Sequence, residues 1–178
     1  MSGTDRDLEP WIHPALHLGE SEINGQGLFT GDGLIAGEPV VRWGGRLVVG
    51  LSDDDARIDL EPHTAVAVAE GVLLAAKLGQ GRTADDYMNH SCDPNVGMSD
   101  ALTLVTISDV AAGAELTADY AFWTSDEGYE LGSACSCGAE RCRGTVTGRD
   151  WALPGLRAVQ DHFSPFLRRR IAALDNDQ

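Results

Sequence analysis

A chain of 178 residues with 43% hydrophobic residues is long enough to bury one core and too apolar to remain disordered. Its net charge of -15, with Lys77 the only lysine, excludes the basic footprint of a general nucleic-acid binder and suits a basic partner drawn in by long-range attraction. No apolar run approaches the ~20 residues of a membrane span, and the polar start MSGTDRDLEP has no apolar stretch of the kind a secretion signal carries, so a soluble, cytoplasmic protein with reduced thiols is expected, or a nuclear one in a eukaryote.

The first ten residues read as a loose tail, and residues 1–13 are expected to lie outside the folded domain. From Ala15 onward, short apolar runs are cut by Gly, Asp and Pro, the rhythm of a mainly β chain with tight turns. Leu28–Thr30, Pro39–Trp43 and Arg46–Gly50 read as strands. In TAVAVAEGVLLAAK the pair Glu70-Gly71 divides two short apolar runs, so a hairpin is expected despite alanine's preference for helix. The run MNHSCDPN, Met88 to Asn95, is too polar for a strand core and too rich in turn formers for a helix. Ala101–Ile107 and Ala114–Tyr120 read as strands joined by a turn at Ala111–Gly113. At the C-terminus, Leu156, Val159 and Phe163 fall at helical spacing. Ser164-Pro165 then reads as an N-cap followed by proline at the first helical position, and Leu167, Ile171 and Leu174 continue one apolar stripe. Arg168, Arg169 and Arg170 read as a solvated face rather than an anion site.

The four cysteines are Cys92, Cys135, Cys137 and Cys142, the last three spaced C-x-C-x4-C. Zinc takes four ligands in a tetrahedron and favours thiolates, so a closed all-cysteine site uses every cysteine in the chain. Disulfides are disfavoured by the reducing compartment, and C-x-C is not the usual redox spacing. A fourth thiolate leaves no open position, which makes such a zinc structural rather than catalytic. Arg141 and Arg143 beside the cluster are expected to offset its negative charge.

With these residues in view, the chain resembles the SET-domain protein lysine methyltransferases that carry a zinc-binding post-SET segment. The resemblance rests on four stretches in the family's order: NGQGLFT, MNHSCDPN, GAELTADY and CSCGAERCRG, covering about residues 14 to 147. It implies a mainly β SET (β-clip) fold of several small sheets with a pseudoknot, a zinc-stapled post-SET loop and two short C-terminal helices. The implied layout is a tail at 1–13, a SET domain at 14–130, a post-SET zinc segment at 131–147 and a helical tail at 148–178. It also implies that Cys92 supplies the fourth zinc ligand, and that S-adenosylmethionine and a target lysine meet from opposite faces.

By the same resemblance, Tyr120 matches the family's catalytic tyrosine. Gly25, Gln26 and Gly27 match the stretch that lets the backbone approach the cofactor, and Asn89 and His90 the cofactor-binding pair; Tyr87 is a plausible pocket wall. Trp43, Ala118 and Phe122 are assigned to the substrate channel. Three positions depart from the family's pattern. Trp43 stands where a tyrosine is usual. Asp86 replaces a frequent arginine, leaving Arg82 or Arg42 to meet the cofactor carboxylate. Ala118 replaces an aromatic that influences methyl number, which leaves room for products beyond monomethyl. Val146 is the nearest apolar residue to cover the adenine. The leading expectation is lysine methylation of a basic protein or peptide, without direct nucleic-acid or membrane binding. The alternatives are methylation of a small molecule or peptide, and an inactive zinc-stapled binding module.

Overall fold

The computed structural model describes residues 7–49 and 59–176 of the chain. The expected parts of the tail before residue 7, Gly50 at the end of the third strand, and residues 177–178 lie outside the described residues.

Among the described residues there are eleven strands, all short as the punctuated sequence requires: β1 (Trp11–Ile12), β2 (Leu16–Glu20), β3 (Gln26–Thr30), β4 (Pro39–Arg42), β5 (Arg46–Val49), β6 (Val66–Ala69), β7 (Val72–Ala75), β8 (Asn89–His90), β9 (Val96–Met98), β10 (Thr103–Thr106) and β11 (Glu115–Ala118). The expected hairpin forms: β6 and β7 pair antiparallel across Glu70-Gly71, with Gly71 taking the left-handed conformation (φ 65°) that the turn requires. With β5 they make a three-stranded sheet in the order β5-β7-β6. The other eight strands join in one sheet ordered β1-β4-β10-β9-β11-β3-β2, with β8 also on β11. Strand β11 is the reason several small sheets become connected. It pairs antiparallel with β3 on one side and parallel with β8 and β9 on the other.

Asn95 secures that crossing. Its side chain donates from Nδ2 to the Glu115 carbonyl at 2.8 Å and accepts the Thr117 N–H at 2.9 Å, imitating a strand neighbour of β11. Ser91 N–H donates to the Ala118 carbonyl at 3.0 Å. The turn-rich run 88–95 is thus drawn against β11 from both of its ends.

Two expectations change. Residues 8–12 belong to the sheet: Trp11 and Ile12 pair with Arg42 and Val41, and Leu8 exchanges backbone hydrogen bonds with Gly45, both at 2.7 Å. The open edge of β4 supplies partners for a segment whose composition looked like a tail. At the other end, the first helical segment is a 3₁₀ stretch, Pro154–His162, broken at Val159, and only the second, α1 (Pro165–Asn176), is an α-helix. Proline does stand first in α1, but Ser164 caps it with no side-chain bond. Its carbonyl accepts the Arg168 N–H, while its Oγ is buried without a partner among the described residues. The Ser164 N–H is held by the Phe122 carbonyl at 2.7 Å, which turns this residue into the core.

Phe163, Phe166, Leu167 and Ile171 enter the same core cluster as Leu28, Val41, Leu104 and Leu116. The C-terminal segment is therefore part of the core. Leu174, at the end of the apolar stripe, emerges at the surface. Of the arginine triplet, Arg170 binds the Glu70 carboxylate on the β6–β7 turn and reaches over the Trp151 ring.

Candidate active site and cysteine knot

A cleft opens where the loop before β3, strand β8 and the segment before the cysteines meet. It is lined by Ile23, Asn24, Asn89, Tyr120, Leu131 and Ser136, among others. Each motif contributes one wall. Gly25 adopts φ 53°, and its carbonyl accepts the Ser21 N–H at 2.9 Å, closing the turn into β3. Gly27 is needed for a different reason. A Cβ there would stand 2.1 Å from Glu115 Oε1. The Glu115 carboxylate fills that space and binds Ser21 Oγ (2.9 Å from each oxygen) and Asn89 Nδ2 (2.8 Å).

Asn89 is placed otherwise than expected. Its amide nitrogen is directed at Glu115, at the Gln26 carbonyl (3.0 Å) and at the Asn24 carbonyl (3.3 Å). Its two amide hydrogens are committed to the protein, so the side chain holds the glycine loop instead of donating to a ligand. The imidazole of His90 is also occupied. Nδ1 accepts the Tyr120 N–H at 3.2 Å, and Nε2 lies 3.3 Å from Cys92 Sγ. Burial depresses the His90 pKa, with the Arg143 charge adding to the effect and Asp119 opposing it, and the ring is neutral.

Tyr120 opens a 3₁₀ turn, Tyr120–Phe122, whose first residue is preceded by Asp119; Asp119 Oδ1 accepts the Ala121 N–H at 3.0 Å. The Tyr120 hydroxyl donates to the Met88 carbonyl at 2.9 Å. Burial pushes its pKa above the ordinary phenol range, Tyr129 adds to the rise, and Arg82 opposes it. Tyr120 packs at 5.5 Å from Trp123, which meets Trp43 edge-on at 4.9 Å. Trp43 thus stands in an aromatic cluster with Tyr120. Ala118 is fully buried in β11, beside His90.

Phe122 does not join that cluster as a channel wall. It is 1% exposed, and its ring packs on Phe163 at 5.0 Å and His162 at 6.4 Å. The short turn leaves Tyr120 lining the cleft and carries Phe122 into the core, where Trp123 is also buried. Val146 is fully buried away from the cleft; its carbonyl accepts the N–H of Leu131 at 2.9 Å, and Leu131, with Ile23, lines the cleft.

The choice between Arg82 and Arg42 is geometric. The Arg82 guanidinium stacks 4.0 Å over the Tyr87 ring and donates to the Asp86 carbonyl, and its charge acts on Tyr120. Arg42 acts instead on Asp100, in the turn before β10. Asp86 is held by the Thr83 N–H at 2.8 Å, and burial raises its pKa to about 6.

The four cysteine sulfurs lie within 4.8 Å of one another. Zinc bound at about 2.3 Å to four thiolates sets sulfurs roughly 3.8 Å apart, so the donor set fits that ion, with Cys92 placed to be a fourth corner. Backbone N–H groups face three of the sulfurs: Arg143 on Cys92 (3.4 Å), Cys92 on Cys137 (3.5 Å) and Gly144 on Cys142 (3.4 Å). Burial works against ionising Cys137. The N–H donors of Cys92 and Ala139 and the neighbouring thiols Cys135 and Cys142 outweigh it, bringing the Cys137 pKa down to about 6. Burial pushes Cys92 up to about 11 and Cys135 up to about 12. In a metal-free knot Cys137 thus ionises more readily than Cys92 and Cys135, and a cation must supply the free energy to ionise those two.

Arg143 acts on the knot as expected, its backbone N–H facing Cys92 and its charge favouring the Cys92 thiolate, while its guanidinium forks onto Asp119 (2.6 and 2.7 Å) and reaches Asp150 (2.9 Å). Asp119, Glu115, Asn95, Trp123, Leu131 and Tyr129 were not singled out for the site by sequence. Asp119 and Glu115 stand inside the quoted stretch GAELTADY, where charged residues flanking strand positions were the only available sign.

A model described as the SET domain matches residues 25–121, more than half of the chain, and the chain belongs to that family. Among its relatives, the protein named putative histone-lysine N-methyltransferase 1 of Plasmodium falciparum is 30% identical over 144 residues, covering 74% of this chain and 2% of that protein. Histone-lysine N-methyltransferase ATX2 of Arabidopsis thaliana is 33% identical over 146 residues, covering 74% of this chain and 13% of the relative. The chain thus spans a small part of the length of these relatives. The solved structure of KRYPTONITE in complex with mCHG DNA and SAH shares the fold with a TM-score of 0.55 at 22% identity, over 73% of this chain and 28% of that one. Among the described residues, no helix is long and apolar enough to cross a membrane.

Proposed function

We propose that this chain is an S-adenosylmethionine-dependent protein-lysine N-methyltransferase acting on a basic protein segment. The observation that carries the reading is the convergence at Tyr120. The glycine loop, Asn89, the β11 crossing and the cysteine knot all close around one half-buried phenol whose O–H donates to the Met88 carbonyl. The relatives' names, histone-lysine N-methyltransferases, support the same class of acceptor. The net charge of -15 supports a basic partner.

S-adenosylmethionine supplies the methyl group and a sulfonium positive charge. The chain's part is alignment and exclusion of water. Its candidate holders are the backbone at Gly25, Gln26 and Gly27 and at Asn89 and His90, the Tyr87 ring, and the Arg82 guanidinium in place of the cation absent at Asp86. Tyr120 stays protonated because burial raises its pKa, so it is not a general base. With its O–H donating to the Met88 carbonyl, the oxygen keeps lone pairs free to accept an N–H from the incoming amine and aim the nitrogen. A lysine with an ordinary pKa near ~10.4 is neutralised by a dry channel and a neighbouring positive charge. Trp43, Trp123 and Tyr120 form the aromatic group beside which its stem runs, and Ala118 leaves room for more than one methyl. Zinc in the Cys92, Cys135, Cys137 and Cys142 knot is structural.

Labelled cofactor, a basic peptide library and the Tyr120→Phe variant test the reading together. Transfer by the wild type, with kcat reduced at least ~100-fold in the variant at similar cofactor affinity, is the expected result. Absence of cofactor binding by the wild type in calorimetry would instead indicate an inactive module. Mass spectrometry of the product is expected to show di- or trimethyllysine, and monomethyl product alone refutes the role given to Ala118. Because Lys77 is the only lysine, Lys77→Arg removes any self-methylation signal.

A further inference from the structure

Cys92 Sγ is approached by two nitrogen groups in addition to its fellow thiols: His90 Nε2 at 3.3 Å and the Arg143 N–H at 3.4 Å. From that sulfur both residues run to the turn carrying Tyr120. His90 Nδ1 accepts the Tyr120 N–H at 3.2 Å. The nitrogen that accepts has no proton, so the ring N–H is on Nε2, directed at Cys92. On the other side, the Arg143 fork holds Asp119 at 2.6 and 2.7 Å, and Asp119 Oδ1 closes the turn on the Ala121 N–H at 3.0 Å. The contacts form a ring: Cys92, His90, Tyr120, Asp119, Arg143 and back to Cys92. Asp119 is 1% exposed, so neither arm is a surface contact.

We propose that His90 and Arg143 are positioning residues that couple the cysteine knot to Tyr120, so that filling the knot with zinc sets where the Tyr120 hydroxyl stands. A zinc-bound thiolate is a good acceptor, and a free thiol is a poor one. Emptying the knot weakens the anchor of both donors at once. His90 is then free to turn away from the Tyr120 N–H, and the Arg143 backbone loses the point from which its fork is aimed. The kinetic consequence rests on the methyltransferase reading, whereas the coupling is read directly from metal release.

Two substitutions separate the ends of the His90 bridge. Asparagine places an acceptor near the position of Nδ1 and removes the donor to Cys92. Glutamine places an amide nitrogen near Nε2 and removes the acceptor for Tyr120. Zinc-loaded full-length proteins are mixed with a chromogenic chelator, and near-ultraviolet circular dichroism follows the Tyr120–Trp123 pair, whose rings lie 5.5 Å apart. His90→Asn is expected to release zinc about 10–100-fold faster, with the aromatic signal retained while loaded. His90→Gln is expected to release zinc within about 3-fold of wild type, far less than the loss of an outer-shell partner produces, but with an altered aromatic signal and a lower kcat at full zinc content. Equal release rates in all three proteins overturn the coupling, even if methyl transfer is normal. A split in release rates with no methyl transfer by the wild type supports the coupling and overturns the enzyme reading. Should the His90 variants fail to fold, Arg143→Lys carries the test. It keeps the N–H on Cys92 and loses the fork on Asp119, so the aromatic signal is expected to change at unaltered zinc release. An unaltered signal overturns the proposal.

Discussion

Gly27→Ala is the sharpest test of how the cleft is built. The new Cβ would stand 2.1 Å from Glu115 Oε1, 2.7 Å from Glu115 Cδ and 3.1 Å from Asn89 Nδ2, closer to the carboxylate than any unforced contact allows. The carboxylate must leave, and with it the bonds to Ser21 and Asn89. The carboxylate is the far end of a flexible side chain, so moving it aside is cheap in itself and the cost is that of the bonds it gives up. A hydrogen bond to a charged group contributes about 1.5–3 kcal/mol, which is the cost expected for losing one. In urea, with zinc held in excess, this lowers the unfolding midpoint by about 0.8–1.5 M at a slope of about 2 kcal/mol/M. The control is Glu115→Ala. In that background the methyl occupies vacated space, and Gly27→Ala is expected to cost under about 0.5 kcal/mol, a large coupling between touching sites. A Gly27→Ala cost that is negligible, or that persists undiminished in the Glu115→Ala background, refutes the reasoning.

Phe163→Ala removes a fully buried ring packed 5.0 Å from Phe122, and a loss of about 3–5 kcal/mol is expected in thermal or urea unfolding. A small loss would show that the C-terminal segment is not part of the core. Cys137→Ser removes the sulfur whose pKa is brought down to about 6, and elemental analysis is expected to find zinc lost, whereas full occupancy would contradict a four-thiolate site. Asp86→Asn tests the raised carboxyl. Burial lifts the Asp86 pKa to about 6 from 3.8, so folding favours its protonated form. Its contribution to stability is fully present below 3.8 and is lost as pH rises through 6. The variant is expected to gain stability over wild type near pH 8 and to show no gain near pH 4. A gain that is the same at both pH values would remove Asp86 as its source.

The strands, the Glu70-Gly71 hairpin and the start of α1 at Pro165 were legible in the sequence because each depends on neighbours in the chain. Apolar alternation, a divided apolar run and a proline at the first helical position are local facts. The knot was legible because the chain has four thiols and zinc takes four ligands. Misreadings fell where a distant partner decided. Trp11 and Ile12 became a strand because β4 had an open edge, and Ser164 gave up its capping bond because Phe122 holds its backbone.

Within the site, the sequence named Asn89, His90, Tyr120 and Arg143 but not their partners. Asn89 meets Glu115 26 positions away, and Arg143 meets Asp119 24 positions away. Such pairs exist only after β11 has been laid between β3 and β8. Residue type and spacing by themselves determined which chemistry the chain carries: four thiols for one ion, a phenol at a strand end, and glycines at a turn. Tertiary structure alone decided how each polar group is spent, since a hydrogen bond needs two atoms about 3 Å apart and chain separation says nothing of that distance.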